Sequence, residues 1–357
     1  MTHLELFSGI GGFRRALDLL MQDGVMPFHC VGFSEIDDKA KTTYRANYLT
    51  DGEIDMGDIV AFTSNKQRIK ELPHFDLLTG GFPCQTFSVM GGQEGFKEDR
   101  GQMFFRIMDI IQEKHPRYVL LENVKNLYNH DRGRTYKKIA KELTSEGYHV
   151  FPNIFNTVDY GLPQRRSRVL IFATTDNIPE NFELHFTPNN VKQLFTRHLS
   201  ELSVPQYLTT IDILSRNVSD KYFLSERIKP TILANGSGKY EAHSDINQRI
   251  ARTLTASMHK MHRACQDNYY SQDYVESKGK INHVEDYTKE QLAELPIRRL
   301  TPEEAFMLQG FPKEFVINAR KAGVSDGALY KQAGNAVSVN VIYAVMYYLI
   351  MNNIVYE

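Results

Sequence analysis

The sequence has few cysteines and no long apolar run. Cys30, Cys84 and Cys265 are the only cysteines in 357 residues, and three is too few and an odd number for a disulfide framework. Closely spaced Cys/His pairs that would bind zinc are also missing. We therefore expect a reducing, cytoplasmic environment. The first residues lack the basic and apolar regions of a signal peptide, and the longest apolar run, Val341–Met351, is about half of a membrane span.

An excess of one charge is missing as well. The chain has 42 basic and 43 acidic residues, so its net charge is −1, and any contact with nucleic acid must depend on local positive charge. Hydrophobic residues make up 42% and charged residues 24%, which excludes a disordered or collagen-like chain. The length predicts one large or two modest domains with a core that needs no disulfides.

Strand and helix patterns alternate through the first half of the chain. The predicted strands are His3–Phe7, Cys30–Phe33, Phe75–Thr79, Tyr118–Glu122 and Val169–Ala173. The predicted helices are Phe13–Leu20, Lys39–Asn47, Met103–Glu113 and Tyr136–Glu146. This order predicts an α/β fold with a doubly wound, mostly parallel sheet, whose ligands bind beyond the carboxyl ends of the strands.

The alternation stops after about Asp176. From there to about Leu295 the chain is polar, which predicts a smaller, irregular region, and residues 226–266 carry seven basic and three acidic side chains, a net charge of +4. A helix is predicted after Arg298, with Thr301 as its N-cap, proline next and a glutamate that completes a capping box. A final helix is predicted over Val337–Met351.

A glycine-rich turn, Phe7–Gly12, lies directly between the first strand and the first helix. Glycines let the backbone approach a ligand closely, although a tight turn without a ligand is an alternative interpretation. Glu35 ends the second strand, where such sheets bind a ribose hydroxyl. Asp58 follows a third short segment and could accept from an adenine amino group. Together they predict a cofactor that contains adenosine.

Reactive side chains follow the next strands. Cys84 lies in a loop after the third predicted strand, where a partly exposed thiolate is one interpretation and a buried, inert thiol the other. The segment Gln85–Gly95 is a long loop with hinge glycines that we expect to close over a site. Glu122 ends a strand, and its carboxyl group could protonate or hydrogen-bond a ring nitrogen. Three arginines within 165–168 could bind a phosphate or a base carbonyl, or form a solvated turn.

Taken in chain order, these segments resemble the C5-cytosine DNA methyltransferase family. The matching segments span nearly the whole chain: Phe7–Gly12, Glu35–Asp37, Asp58, Phe82–Gln85, Gly101–Phe105, Glu122–Val124, Gln164–Arg168, Arg298–Glu304 and Gln332–Val337. The resemblance implies a class I methyltransferase fold, Rossmann-like, with a smaller irregular target-recognition domain. It implies a catalytic and cofactor-binding domain over 1–180, a target-recognition region over 181–297, and a hinge with C-terminal helices over 298–357.

The resemblance also implies a catalytic role for each residue that matches the family's motifs. Cys84 would add to C6 of cytosine, and Glu122 would engage N3 and the exocyclic amine. Arg168 would contact the base oxygen, with Arg166 in support, while Asn123 would hold the loop that contains Pro83. The methyl group would come from S-adenosylmethionine, with no metal, and the target base would be flipped out of the helix.

The resemblance also implies binding residues. Phe7 and Ile36 would sandwich the adenine, although an aromatic residue at position 36 would stack more strongly. Glu35 would bind the ribose, and Asp58 the adenine amino group. The methionine portion would lie near Gly9, Gly11, Gly12 and Asn335. Apart from the resemblance, the basic stretch predicts DNA contacts by Arg252, Thr253, Lys260 and Arg263, together with Ser88, although an ordinary basic surface is an alternative interpretation.

The expected partner is double-stranded DNA, bound by a monomer in the bacterial cytoplasm at the nucleoid. A cognate restriction endonuclease is left open, and the DNA sequence that is read is not visible. Three alternatives also stay open at this point: a catalytically silent DNA-binding relative, a tRNA cytosine-5 methyltransferase, and a metabolite-binding α/β enzyme. Intact Cys84, Glu122 and Arg168 argue against the first of them.

Overall fold

The computed structural model describes residues 1–83, 103–234, 236–237, 240–241, 244–260 and 262–357. The chain divides into two compact units. The first contains Met1–Asn156, Ser167–Val204 and Val341–Glu357, and the second contains Thr157–Arg166 and Pro205–Asn340.

Helices and strands alternate in the first unit and become short in the second. The strands are β1 (Thr2–Leu6), β2 (His29–Ser34), β3 (Ile54–Asp55), β4 (Leu77–Gly81), β5 (Tyr118–Val124), β6 (His149–Asn156), β7 (Gln164–Arg165), β8 (Ser167–Thr174), β9 (Gly236–Ser237), β10 (Tyr240–Glu241), β11 (Ala251–Arg252), β12 (Tyr269–Ser271) and β13 (Ile297–Arg299). The helices are α1 (Gly12–Gln22), α2 (Asp38–Arg45), α3 (Ile59–Thr63), α4 (Lys66–Glu71), α5 (Met103–Lys114), α6 (Asn126–Asn129), α7 (Arg134–Ser145), α8 (Phe182–His185), α9 (Pro188–His198), α10 (Lys229–Leu233), α11 (Gln272–Glu276), α12 (Lys289–Glu294), α13 (Pro302–Met307), α14 (Glu314–Lys321), α15 (Asp326–Asn335) and α16 (Val339–Met351).

A seven-stranded sheet forms the centre of the first unit, in the order β3-β2-β1-β4-β5-β8-β6. The first five of these strands pair in parallel, whereas β8 is antiparallel to both β5 and β6. The prediction of a mostly parallel, doubly wound α/β sheet is thus confirmed. All five strands and all four helices predicted in the first half lie on observed elements, with ends shifted by a few residues.

The sheet is buried because its central strands are apolar. Leu4, Leu78, Val119 and Ile171 are completely or almost completely buried in one cluster with side chains of α3, α5 and α7. Helix α1 contributes a separate buried face through residues such as Phe13. A strand buried on both faces requires this near-continuous apolar sequence.

The second unit has a small core of its own. Leu224, Ile232, Leu233, Ile246, Tyr269, Leu292 and Ile297 form its buried cluster. Strands β12 and β13 pair antiparallel beside it. Its boundaries differ from the predicted ones: the second stretch of the first unit continues to Val204, and the second unit continues to Asn340. The assignment of catalysis to residues 1–180 and of target recognition to residues 181–297 stays a prediction.

The predicted capping box at α13 is confirmed. The Thr301 hydroxyl accepts from the amide of Glu304, and the Glu304 carboxylate accepts from the amide of Thr301, with Pro302 in the first turn. Arg298 completes the arrangement, because both terminal nitrogens of its guanidinium lie 2.9 Å from the two carboxylate oxygens of Glu304. Such a bidentate pair is shielded from water here, since neither side chain is more than 1% exposed.

One helical stretch of the described residues, Asp326–Met351, is long and apolar enough to span a membrane by length and composition alone. However, 83% of its most apolar window is buried inside the protein. A buried core helix passes the same test, so this stretch is weak evidence for a membrane span. The predicted final helix corresponds to α16.

Candidate active site

The carboxyl ends of four neighbouring parallel strands bring the predicted residues to one edge of the sheet. Leu6 of β1 lies opposite both Ser34 of β2 and Gly80 of β4. Gly81 in turn lies opposite Glu122 of β5. The residues that follow these strands therefore share the edge at which such sheets bind ligands.

The glycine-rich turn after β1 has a backbone that most residues avoid. Phe7, Gly9 and Gly11 have φ angles of 53°, 57° and 81°. A β carbon at Gly11 would lie only 2.4 Å from the ring of Tyr48, whose hydroxyl donates to the Gly11 carbonyl at 2.7 Å. At Gly9, by contrast, a β carbon would meet no described atom within 4 Å. The turn is therefore packed at Gly11 and open at Gly9.

We expect Gly11→Ala to weaken cofactor binding strongly, because the new methyl group would need the space of the Tyr48 ring at a left-handed φ angle. Overpacking of this kind costs about 1–3 kcal/mol, in addition to about 1–2 kcal/mol for the backbone. Isothermal titration with S-adenosylmethionine and thermal unfolding would measure the two effects.

Gly24→Ala is the matched control. Gly24 also has a positive φ angle, 69°, but a β carbon there would meet no described atom within 4 Å. It should lose some stability and keep cofactor affinity. Equal cofactor affinity for the Gly11 variant and the wild type would contradict the proposed importance of the packing against Tyr48.

Glu35 connects the turn to the end of β2. Its carboxylate accepts from the amide of Gly9 at 2.7 Å and from the amide of Asp37 at 2.8 Å. Burial raises the pKa of Glu35, while these two amides oppose the shift. Next to it the Ile36 side chain is 71% exposed, which leaves an apolar surface at the edge. The Asp58 carboxylate accepts from the amide of Val60 and caps α3.

Glu122 and Arg168 form an ion pair across neighbouring antiparallel strands. The Nε of Arg168 lies 2.9 Å from Oε1 of Glu122, and both side chains are largely buried. Arg168 lies opposite Val124 in the β5–β8 ladder, so the two charged side chains come from the carboxyl end of β5 and the start of β8. The structure thus brings together two residues that are 46 positions apart in the sequence.

Asn123 ties the ends of β4 and β5 together. Its Nδ2 donates to the carbonyl of Phe82 at 2.7 Å, and its Oδ1 accepts from the amide of Val124 at 2.8 Å. The side chain is only 2% exposed. Phe82 directly precedes Pro83, which is exposed, and the role of Asn123 in holding the loop that follows stays a prediction.

We expect Asn123→Ala to lower turnover by tenfold or more while cofactor affinity changes little. The variant leaves the buried Phe82 carbonyl without its donor, which costs about 1–3 kcal/mol. Single-turnover methylation and cofactor titration would be compared with Asn126→Ala, an exposed asparagine at the start of α6. Unchanged turnover in the Asn123 variant would contradict a role in holding the loop.

Arg166 and Asn335 belong to the second unit, and their contacts are described there. The guanidinium of Arg166 is buried and donates to the carbonyls of Leu254, Gly334 and Ala336 at 3.2, 3.2 and 2.8 Å. These are contacts of a supporting residue. Asn335 is the last residue of α15. Participation of either residue in catalysis or cofactor binding stays a prediction.

The predicted DNA-contacting residues of the second unit differ in the intramolecular contacts that their side chains make. Arg252 donates to the carbonyls of Asp245 and Asp267, and Arg263 pairs with the Asp267 carboxylate at 3.0 Å. The Thr253 hydroxyl donates to the Arg165 carbonyl, a contact made beside the β7–β11 pair. Lys260 is exposed. Lys260 is therefore the simplest of these side chains with which to test a phosphate contact.

Several predicted residues lie outside the part of the chain that the structure describes. These are Cys84, Ser88 and the loop expected to close over the site, Gln85–Gly95. Sequence reasoning had not identified Tyr48 or the hydroxyl of Ser8. The Ser8 hydroxyl is buried in the glycine-rich turn without a hydrogen-bond partner among the described residues. The contact between Tyr48 and Gly11 spans 37 positions and has no local sequence signal.

The sheet of the first unit has the strand order and mixed pairing of the class I methyltransferase fold. The fold is similar to that of the Dnmt2 methyltransferase of S. pombe, with a TM-score of 0.75, 21% identity and complete coverage of both chains. It is also similar to the methyltransferase EhMeth of Entamoeba histolytica, with a TM-score of 0.71, 19% identity, and coverage of 100% of this chain and 99% of that one.

Sequence comparison gives the family. The family model for C-5 cytosine-specific DNA methylases matches residues 1–350. The chain is 36% identical to the type II methyltransferase M.SsoII of Shigella sonnei, over 96% of this chain and 78% of the relative. It is also 36% identical to the type II methyltransferase M.HpaII of Haemophilus parainfluenzae, over 96% and 87%. The chain belongs to the C-5 cytosine-specific DNA methylase family and is an enzyme of the DNA (cytosine-5-)-methyltransferase type.

Proposed function

We propose that the chain methylates C5 of a cytosine flipped out of a specific duplex DNA sequence, through a covalent bond between Cys84 and C6. The observation that supports this most directly is the Glu122–Arg168 ion pair beside the Asn123–Phe82 contact. The first places a carboxyl group and a guanidinium together, and the second anchors the strand end that leads to Pro83 and Cys84.

The chemistry follows from these groups. The Cys84 thiolate adds to C6, which moves electron density to C5 and makes C5 nucleophilic. Glu122 stabilises the added state by hydrogen bonding at N3 and the exocyclic amine, and Arg168 binds the base oxygen. After C5 has gained the methyl group, a base removes the C5 proton, the S–C6 bond breaks, and the thiolate is regenerated.

The cofactor proposed is S-adenosylmethionine, which supplies the methyl group when it is bound. The residues at the carboxyl edge fit such a molecule: the backbone is open at Gly9, Ile36 exposes an apolar surface, and the Ser8 hydroxyl is buried without a partner among the described residues. Glu35 lies between these groups with its carboxylate already oriented by two amides. Asp58, which caps α3, would accept from the adenine amino group.

The single experiment that tests this function is transfer of labelled methyl groups, with duplex DNA and tRNA as parallel substrates. Bisulfite sequencing of DNA from cells that express the chain would then give the target sequence. Methyl groups are expected in DNA, at cytosines of one sequence. Incorporation into tRNA alone would contradict the proposal and identify the tRNA methyltransferase alternative.

The relatives are named type II methyltransferases, and we propose that this chain also acts in restriction–modification. We propose further that it acts as a monomer, in the bacterial cytoplasm, on the DNA of the nucleoid. Methylation of the target would protect cellular DNA from a cognate endonuclease. Recognition of the target sequence is assigned to residues 181–297, whose basic stretch, 226–266, lies in the second unit.

A further inference from the structure

The most basic short segment of the chain lies outside the predicted recognition region. Residues 125–141 contain six lysines and arginines and one acidic residue, a net charge of +5 in a chain of net charge −1. The segment begins directly after β5, which carries Glu122, and includes α6 and the start of α7. It belongs entirely to the first unit.

An open groove lies within this segment. Its volume is about 480 Å³, and it is lined by Tyr128, Asn129, Arg132, Gly133, Tyr136 and Lys137, which we call the basic turn. The rings of Tyr128 and Tyr136 are 4.9 Å apart, and Tyr128 is 39% exposed. Within the described part of the chain, no carboxylate lies within 4 Å of the charged groups of Arg132 or Lys137.

The backbone holds the turn in an unusual conformation. Asp131, Arg132 and Gly133 have consecutive φ angles of 52°, 55° and 80°. The base of the turn is fixed by a 2.7 Å contact between Nδ1 of His130 and the hydroxyl of Thr135. Left-handed residues other than glycine each cost about 1 kcal/mol or more, and such strain is concentrated at binding sites. An exposed arginine on a strained backbone, without a carboxylate partner among the described residues, therefore points to an anionic ligand.

We propose that the basic turn binds the phosphate backbone of the duplex that flanks the target cytosine, with Arg132 and Lys137 as the phosphate contacts. The inference rests on the proposed function, because it takes the substrate to be DNA. Charges spread along an open groove suit an extended polyanion, and a tyrosine wall suits sugar and base edges. Six residues separate Glu122 from Tyr128, at most about 21 Å, which is the length of about six base pairs.

The proposal can be tested by duplex length, because removing the base pairs outside the target sequence removes the phosphates that the basic turn is proposed to contact. After the target sequence is known, binding would be measured for two duplexes, one that ends at the target sequence and one with twelve further base pairs on each side. The double variant Arg132→Ala/Lys137→Ala is expected to bind the longer duplex about three- to tenfold more weakly, and its salt dependence should be less steep by about 1.8 units. Binding of the shorter duplex and of S-adenosylmethionine should not change.

A charge-matched control is Lys66→Ala/Lys70→Ala. Both lysines are exposed on α4, which leads to the amino end of β4 rather than to its carboxyl end. This control should bind both duplexes as the wild type does. The proposal is overturned if the control loses as much affinity as the test variant, if the test variant loses affinity equally for both duplexes, or if it binds the longer duplex normally. Wild-type enzyme that methylates no duplex DNA would instead overturn the proposed function.

Discussion

Replacing Cys84 with serine is expected to abolish methyl transfer while cofactor and DNA affinity stay within a few-fold of the wild type. The sulfur is proposed to act only in the chemical step, because the proposed cofactor residues follow β1 and β2, lie at the start of α3, or, for Asn335, end α15. A serine hydroxyl at neutral pH is a far weaker nucleophile than a thiolate. Single-turnover methylation, measured beside cofactor titration and DNA binding, checks both parts. Turnover above a few per cent of the wild type would remove Cys84 from the nucleophile role.

The other two cysteines provide the controls. Burial raises the pKa of the Cys30 thiol to about 12, so it stays protonated and unreactive at neutral pH. Cys265 is half-buried in the second unit, and Cys265→Ser should keep full activity. DNA with 5-fluorocytosine at the target should trap a covalent complex, because fluorine cannot leave as a proton does. Mass spectrometry that found Cys30 or Cys265 in the trapped peptide would contradict the assignment.

Local patterns were sufficient to predict five strands and four helices of the first unit. The central strands, such as Tyr118–Val124, are short and almost entirely apolar, a pattern typical of strands that are buried on both faces of a sheet. The helices between them are amphipathic. Strand β6 was not predicted because Pro152 and polar residues interrupt its apolar pattern, and it is stabilised by pairing along its whole length with β8. The two-residue strand β3 was missed because a segment so short has no period.

Side-chain pairs that are distant in sequence could not be derived from spacing. Glu122 and Arg168 were predicted separately, but their 2.9 Å contact depends on the antiparallel register of β5 and β8, which sequence patterns did not reveal. Arg252 and Arg263 were predicted to contact DNA because they are basic. Their intramolecular contacts, to backbone carbonyls and to Asp267, depend on how the loop folds back on itself.

The basic turn could be predicted from the sequence only in part. Its charge, +5 over residues 125–141, is visible in the sequence, and a count along the whole chain would have found it. The +4 stretch at 226–266 was singled out because it lies between the matching segments that end at Arg168 and begin at Arg298. What the sequence could not supply is the groove lined by Tyr128 and Tyr136, since it depends on three consecutive left-handed residues, 131–133.

Glu122→Gln is expected to slow methylation by about 10²–10⁴-fold, the usual contribution of a general acid or base. The amide oxygen can still face Nε of Arg168 with its partial negative charge, so the side chain should stay in place although the ion pair is lost. It cannot give or take a proton at the base, and therefore the part of the pH–rate profile that depends on this carboxyl group should disappear. Cofactor affinity should be unchanged.

The matched control is Glu113→Gln, an exposed glutamate near the end of α5 that leaves both rate and pH profile as in the wild type. Thermal unfolding separates catalysis from stability, because removing one partner of a buried ion pair can cost about 3–5 kcal/mol. If Glu122→Gln unfolds at the wild-type temperature and still loses at least 100-fold in rate, the carboxyl group acts in the chemical step. A loss below about tenfold with an unchanged pH profile would leave Glu122 as a positioning residue for Arg168, because proton transfer alone normally contributes more than this.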